Sequence, residues 1–198
     1  MVLISFNSLN SYDVKDGVVV SCDLDTKKVI LPHHVHTIGR TAFYETALEE
    51  ITLNEGLETI EPLAFLGTDI KTLHIPESVK SIGVGFISGC NMIESITVDE
   101  DNENYYCSNN CLIDRKTNKV IAVVGNAIVP EGITKIEQLA FYGRIFDVVV
   151  EIPESVTSIG KTEFEFLSEF EFPVTFKAKK NSYAIQFAKE NGIRYIEM

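Results

Sequence analysis

A repeated segment constrains the fold of this chain more than any other feature. The segments Ile75–Gly83 and Ile152–Gly160 differ only at Lys80 and Thr157. The common frame is an apolar residue, a Pro or polar turn, two further apolar positions ending in Ile, and often an Ala-Phe pair. It recurs at Leu31 to Gly39, Leu53 to Ile60 and Val129 to Ile136. One such unit has too little apolar surface to fold alone, so we expect the repeats to stack into a solenoid.

The spacing of the frame predicts how the coils stack. Its lead residues are 22 to 24 residues apart, except for one step of 31 residues. They are Leu31, Leu53, Ile75, Val98, Val129, Ile152 and Phe176. A second inward column is expected at Val29, Ile51, Leu73, Ile96, Ala127, Val150 and Val174. Alternation around these positions predicts one short strand per coil, paired in parallel with its neighbours and ended by a Pro in several coils.

Residues that alternate with the inward columns are expected to point outward on one sheet face. The central outward column is Ile30, Thr52, His74, Thr97, Ile128, Glu151 and Thr175, flanked by Lys28, Glu50, Thr72, Ser95, Asn126 and Val149. The polar members can hydrogen-bond a protein or a glycan. We therefore predict a binding site made of Glu50, Thr52, Thr72, His74, Ser95, Thr97 and Glu151.

The long step and the two ends predict additional elements. Asn109-Asn110 between β-prone runs indicates a hairpin, in which Cys107 and Cys111 point to opposite sides. Asp16-Gly17 gives the same signal near the start of the chain. The segment 181–192 is typical of a capped amphipathic helix ended by Gly, followed by a last strand Ile193 to Ile196. We expect one domain over residues 1–198, with an N-terminal hairpin cap at 1–28, repeats at 29–176, a hairpin insert at 99–124 and a C-terminal cap at 177–198.

With these motifs assembled, the chain resembles the BspA-like branch of leucine-rich repeat proteins. The resemblance covers Asp16 to Glu197 and depends on the Ile-Pro-x-x-Val-x-x-Ile-Gly-x-x-Ala-Phe frame, the Asn-rich insert and the ending from Ser182 to Ile193. Phe86-Ile87 and Glu163-Phe164 depart from the Ala-Phe pattern. The expected fold is an α/β, right-handed leucine-rich-repeat-type solenoid with short parallel strands per coil, a hairpin insert and a C-terminal helix cap. The resemblance implies adhesion or protein binding, often at a cell surface, without enzymatic activity or a cofactor.

The overall charge narrows the class of partner. The chain has 29 acidic and 17 basic side chains, a formal charge of −12, so it repels nucleic acid and anionic lipids. No apolar run is long enough to insert into a membrane, and the first ten residues do not form a secretory signal. As a full-length chain it would be cytoplasmic, whereas the family resemblance suggests a cell-surface or secreted protein. We expect a protein partner, with a glycan as the alternative, and leave the oligomeric state open.

Several other residue groups are candidate sites. His33, His34 and His36 offer zinc or copper ligands, but they occupy a corner that other repeats fill with exposed residues, so we predict no metal there. The acidic run Asp99 to Asn104 lacks the Gly and Glu of a calcium-binding EF-hand loop. The four cysteines do not have the spacing of a disulfide scaffold or zinc knuckle and are expected to be free thiols.

Three functions remain as hypotheses. The leading one is a non-enzymatic binding module; the second is a structural element that self-associates through an end or through the Phe-rich segment Glu163 to Phe172. The third is an uncharacterised hydrolase, although no catalytic motif and no catalytic residue can be nominated from the sequence.

Overall fold

The computed structural model describes residues 11–141, 147–160 and 174–198. Within them the chain forms a stack of coils, and each regular coil contributes one short strand to each of two opposite faces. The strands of the front face are β3 Lys28–Ile30, β5 Glu50–Thr52, β7 Thr72–Ile75, β9 Ser95–Val98, β13 Ala127–Ile128, β15 Val148–Glu151, β17 Val174–Ala178 and β18 Arg194–Glu197. The strands of the back face are β1 Tyr12–Lys15, β2 Val18–Cys22, β4 Thr37–Ile38, β6 Thr59–Ile60, β8 Ser81–Ile82, β10 Tyr105–Ser108, β11 Cys111–Asp114, β12 Lys119–Val123, β14 Lys135–Ile136 and β16 Ser158–Ile159.

Parallel pairing between successive coils confirms the predicted solenoid. On the front face Val29 pairs with Ile51, and Leu73 pairs with Ile96. In β7 the residues alternate between exposed and buried, as expected for a strand with one side in the core. The front face is divided into three sheets: β3-β5, β7-β9 and β13-β15-β17-β18. The back face is divided into two, β1-β2-β4-β6-β8 and β10-β11-β12-β14-β16.

The predicted register of the last coil is wrong by two residues. Phe176 pairs with Val150 and not with Ile152, and Lys177 rather than Thr175 pairs with Glu151. The outward column therefore continues from Glu151 to Lys177, while Thr175 lies in register with Val149 in the flanking column. A slip of two residues keeps every side chain on the same face of a strand, so alternation alone does not distinguish the two registers.

Core packing follows the predicted inward positions. Val35, Ile38, Leu57 and Ile60 are fully buried, and the Ala-Phe positions are buried as well. The rings of Phe43 and Phe65, which lie in successive coils, stack with centroids 5.3 Å apart and an interplanar angle of 7°. Burying each ring contributes about 1.5–3 kcal/mol. The backbones of the two coils meet at this point, since the Phe43 N–H donates to the Ala64 oxygen at 2.9 Å.

The insert forms a three-stranded antiparallel unit that joins the back face. β10 and β11 pair through Ser108 with Cys111 and Cys107 with Leu112, as predicted. Asn109 and Asn110 have φ of 48° and 65°, the left-handed conformation of a type I′ turn. β12 then pairs in parallel with β14 and so returns the chain to the regular coils.

The insert also marks a boundary between two core clusters. Cys107 packs against the cluster of the N-terminal coils, whereas Cys111 is buried in the cluster of the C-terminal coils. This confirms that the two thiols point to opposite sides of the hairpin. All four cysteines are free.

Both predicted end elements are present. Asp16 and Gly17, with φ of 48° and 75°, form the turn between β1 and β2. At the other end helix α1, Tyr183–Glu190, begins at the N-cap Ser182, whose hydroxyl accepts a hydrogen bond from the Ile185 N–H. β18 follows at Arg194–Glu197, one residue later than expected. The Phe-rich segment Glu163 to Phe172 lies outside the described residues.

Candidate binding face

Six of the seven predicted site residues lie together on the front face. Their side chains come from three neighbouring strands, β5, β7 and β9, and all six residues are exposed. They are Glu50, Thr52, Thr72, His74, Ser95 and Thr97. The seventh, Glu151, lies on β15, beyond the insert and separated from β9 by β13. The structure thus forms one contiguous patch of six residues, which we call the hydroxyl patch, and leaves Glu151 apart from it.

A hydrogen bond and strand pairing connect the β7 and β9 members of the hydroxyl patch, whereas β5 contacts β7 without pairing with it. His74 Nδ1 lies 2.9 Å from Thr97 Oγ1 on the next coil. Thr72 and Ser95 are in direct register on β7 and β9. Strands of adjacent coils are about 4.8 Å apart, so these side chains are close enough to contact a single ligand. Four of the six carry hydroxyl groups, which both donate and accept hydrogen bonds.

The charged residues of the front face are paired across coils. Lys28 Nζ lies 2.7 Å from Glu50 Oε2, and Lys177 Nζ lies 3.0 Å from Glu151 Oε2. Arg194 makes two bonds of 2.6 and 3.1 Å to the carboxylate of Asp147. Such exposed pairs contribute about 0–1 kcal/mol to stability. Their larger effect is on the surface field, because they leave the front face with little net charge in a strongly acidic chain.

A second ion-pair group borders the front face. Glu49 lies between Lys27, at 3.3 Å, and Lys71, at 2.9 Å. Hydrogen bonding to Lys71, then to Lys27, lowers the pKa of the Glu49 carboxyl, and hydrogen bonding to Glu49 raises the pKa of Lys71. Lys27 and Lys71 are exposed and Glu49 is partly exposed, so these pairs affect the surface charge distribution more than the stability of the fold.

Sequence reasoning missed these cross-coil ion pairs. Lys28 and Glu50 stand one repeat apart at equivalent positions, so their opposite charges were a usable signal. The pair of Glu151 and Lys177 was hidden by the two-residue error in register. Two exposed aliphatic residues also flank the face, Ile30 at 63% and Ile128 at 53% exposure.

Of the three histidines considered as metal ligands, His36 forms hydrogen bonds within the protein. His36 Nε2 lies 3.1 Å from the Asp16 carbonyl oxygen, and its Nδ1 lies 3.0 Å from Thr37 Oγ1. His33 and His34 are exposed at the corner, as predicted. Over residues 11–141, 147–160 and 174–198 no group of three His, Cys, Asp or Glu residues has the geometry to hold a metal ion.

Asn102, inside the acidic run, is buried and organises the backbone. Its Nδ2 donates to the carbonyl oxygens of Pro76 and Val79, at 2.8 and 3.2 Å. Its Oδ1 accepts from the N–H groups of Asn104 and Tyr105. Two coils earlier in the stack, Asn54 donates in the same way to the carbonyl oxygens of Pro32 and Val35. The acidic run is therefore shaped by a structural asparagine.

The buried thiols are protonated at neutral pH. Burial raises the pKa of Cys90 and Cys107 to about 11 and that of Cys111 to about 12. A thiol with such a pKa is a poor nucleophile, because the thiolate is the reactive form. None of the helices that the structure describes is long and apolar enough to cross a membrane.

A stack of short parallel strands with an outward polar column defines a repeat solenoid of the leucine-rich type. The family model described as "BspA type Leucine rich repeat region" matches in 6 copies over residues 19–126 and 124–196. The chain belongs to this family of BspA-type leucine-rich repeat proteins.

Solved structures agree with this fold. A leucine-rich cell surface protein from Faecalibacterium prausnitzii is 29% identical with a TM-score of 0.63, over 70% of this chain and 38% of that one. A leucine-rich repeat protein from Eubacterium ventriosum is 22% identical with a TM-score of 0.53, over 78% of this chain and 54% of that one.

The pneumococcal vaccine antigen PcpA shows the fold at lower identity, 14%, with a TM-score of 0.54 over 87% of this chain and 68% of that one. The chain thus spans less than half of the Faecalibacterium protein and about half of the Eubacterium protein. No curated protein sequence matches it significantly.

Proposed function

We propose that this chain is a non-enzymatic binding module that holds a protein partner on the hydroxyl patch of its front face. The observation that carries the proposal is the contiguity of Thr52, Thr72, His74 and Thr97 on three adjacent strands, with all four side chains exposed. Strands hold these groups in place before binding, so fewer side chains and loops lose freedom when a partner docks.

The pairing of nearby charges supports a partner whose contact surface is not strongly charged. Because Lys28 and Glu50 neutralise each other at one side of the patch, the patch itself offers hydrogen bonds more than charge. A protein surface fits this chemistry, and the aliphatic Ile30 beside it offers an apolar contact. A hydroxyl-rich glycan is the alternative, but none of the six residues of the patch is a Trp, Tyr or Phe that could stack on a sugar ring.

The relatives support a surface setting for this binding. The Faecalibacterium protein is described as a cell surface protein, and this chain shares its fold and 29% of its sequence over the matched region. We propose that this chain likewise acts in adhesion or recognition at a cell surface.

The test is affinity capture with the immobilised chain, followed by measurement of the dissociation constant of the recovered protein. Replacing Thr72 and His74 together by Lys is expected to weaken binding at least tenfold, which corresponds to about 1.4 kcal/mol. The matched control replaces Thr134 and Thr157, exposed residues of the back side, by Lys and adds the same charge. Equal affinity of a folded Thr72→Lys/His74→Lys variant and of the control would place the binding site elsewhere.

A further inference from the structure

The outer edge of β18 differs from the other ends of the stack that the structure describes. β18 is the terminal strand of its front-face sheet, and β17 is the strand it pairs with among the described residues. All four of its residues, Arg194–Glu197, are exposed. An exposed edge strand presents a row of N–H and C=O groups that can pair with another chain.

The backbone bonds to β17 identify the groups on this outer edge. Met198 donates its N–H to the Ala178 oxygen at 2.9 Å, and its own carbonyl oxygen accepts from the Lys180 N–H at 3.4 Å. Along a strand, the N–H and C=O groups of successive residues point alternately to the two sides. The backbone groups of Arg194 and Ile196 therefore also face β17. Tyr195 and Glu197 therefore present their N–H and C=O groups on the outer edge.

Other ends of the stack carry features that block such pairing. β1 has a bulge between Asp13 and Val14, which distorts its edge. At the start of the front face, the Tyr12 hydroxyl donates to the Ile30 oxygen at 3.0 Å and occupies a group that a new strand would need. At the end of the back face, α1 packs against β16.

Among the described residues, β18 has neither the bulge of β1 nor a side-chain bond to its outer edge, and α1 contacts it on the face that carries the Tyr195 and Glu197 side chains. Its register with β17 is continuous, and it contains no Pro. Its two charged side chains are already engaged, Arg194 with Asp147 at 2.6 Å and Glu197 with Lys189 at 2.8 Å. Its other two side chains are apolar and partly exposed, Tyr195 at 41% and Ile196 at 47%.

We propose that β18 pairs with β18 of a second copy of this chain, antiparallel and around a twofold axis at Ile196. In an antiparallel pair of strands, two residues that lie opposite each other and point their N–H and C=O groups at the partner strand exchange both hydrogen bonds. Tyr195 then exchanges both backbone hydrogen bonds with Glu197 of the second copy. Ile196 lies opposite its own counterpart, so its exposed side chain is covered by an identical one.

Side-chain chemistry on the helix side of the strand favours this register. Lys189 Nζ lies 5.1 Å from the centroid of the Tyr195 ring and also binds Glu197. Glu197 of the second copy, lying opposite Tyr195, approaches this same Lys189. Each ammonium group thus lies between two carboxylates, and the strand is complementary to itself in charge as well as in apolar contact.

A twofold arrangement also fits better than head-to-tail stacking of copies. Head-to-tail contact would join β18 to the front-face edge at β3, where the Ile30 oxygen is already bonded to Tyr12. The twofold contact uses one patch twice and closes at two copies. A single short strand pair buries less than the roughly 1,000 Å² expected of a stable interface, so the dimer is weak.

Sedimentation equilibrium of the purified chain from about 10 µM to about 1 mM tests the proposal over the range in which a weak dimer forms. The average mass of the unsubstituted chain is expected to rise toward that of a dimer with concentration. Ile196→Lys is expected to weaken association at least tenfold, because two like charges then face each other across the axis. The matched control is Ile30→Lys, an exposed Ile at the opposite end of the front face, which is expected to associate like the unsubstituted chain.

A chain that stays monomeric throughout this range overturns the proposal, even if an extended peptide of another protein binds the β18 edge. Equal weakening by Ile196→Lys and Ile30→Lys overturns it as well, because the effect would then come from charge alone. Melting curves of both variants verify that they remain folded.

A cysteine cross-link tests the register itself. In Ile196→Cys the two thiols would face each other at a non-hydrogen-bonded pair, where Cα atoms are about 4.5 Å apart and a disulfide is within reach. Mild oxidation is expected to give a covalent dimer at least tenfold faster than with Ile30→Cys. Equal rates for the two variants would mean random collision and would refute the twofold contact at Ile196.

Discussion

The hydroxyl of Tyr105 accepts a hydrogen bond from the backbone N–H of Ile82 at 2.8 Å. Ile82 ends the last strand of the first back-face sheet, and Tyr105 begins the first strand of the second sheet. A side chain thus occupies the place where the next coil would supply a backbone acceptor. This bond joins the insert to the coils before it, and burial raises the pKa of the Tyr105 hydroxyl.

Removing this hydroxyl is expected to loosen the junction between the two sheets. Tyr105→Phe leaves the Ile82 N–H without its acceptor and is expected to lower the free energy of unfolding by about 1–3 kcal/mol. Tyr106→Phe is the matched control, since it keeps the ring that packs beneath Arg115 at 4.7 Å, and is expected to cost less than about 0.5 kcal/mol. Urea denaturation measures both. Equal effects would show that the bond to Ile82 is not important.

The Gly of the Ile-Gly step is required by the close approach of successive coils. A Cβ on Gly83 would lie 2.2 Å from the Pro62 nitrogen, and one on Gly160 would lie 2.3 Å from the Gln138 nitrogen. Backbone atoms cannot yield as a flexible side chain can.

We expect Gly83→Ala to lower the free energy of unfolding by more than about 3 kcal/mol, because the coils must move apart and lose packing. Gly132→Ala is the control: its φ is +87° but no atom lies within 4 Å of the added Cβ. That variant is expected to cost only about 1–2 kcal/mol of backbone strain. Thermal or urea unfolding compares the two, and a larger loss in Gly132→Ala would contradict the close-approach explanation.

The repeat frame made most of the fold predictable. Each inward position recurs at a fixed step, so the columns containing Leu73 and Ile75, the outward position of His74 and the turn at Asn109 follow from periodicity and local turn chemistry. The six residues of the hydroxyl patch were found in the same way, because exposure in a strand is set by alternation.

Features that depend on distances between coils were not accessible from periodicity. The bond from Ile82 to Tyr105 joins a regular coil to an irregular insert, for which no repeat gives the register. The displacement of Phe176 by two residues preserves alternation and so leaves no trace in the pattern. The break between β9 and β13, which lies on the way from the hydroxyl patch to Glu151, falls at the insert.

Alkaline pH is expected to destabilise the chain through its buried thiols. The folded-state pKa of Cys111 is about 12 and that of Cys90 about 11, against 9.0 for an unperturbed thiol. Between pH 9 and these values the unfolded state releases thiol protons that the folded state retains, so stability falls as pH rises. Each such thiol contributes up to about 1.4 kcal/mol per pH unit.

The measurement is the free energy of unfolding as a function of pH under reducing conditions. Cys111→Ala is expected to be less stable at neutral pH, because it leaves a small cavity, but to lose stability less steeply above pH 9. Parallel curves for the variant and the unsubstituted chain would show that this thiol does not control the alkaline transition.

The last prediction is that the whole chain unfolds as one domain despite its two core clusters. Ile75 belongs to the N-terminal cluster and Ile152 to the C-terminal cluster, and both are fully buried. An unpaired carboxylate at either position costs several kcal/mol, and the coils are coupled through the insert and the parallel pairing of β12 with β14. Ile75→Asp and Ile152→Asp are therefore each expected to abolish the folded circular dichroism signal completely. Ile30→Asp, at an exposed position of the same face, is expected to unfold like the unsubstituted chain. If Ile75→Asp instead retained the signal and the cooperative transition of the C-terminal coils, the chain would consist of two independently folding units, with the insert as their boundary.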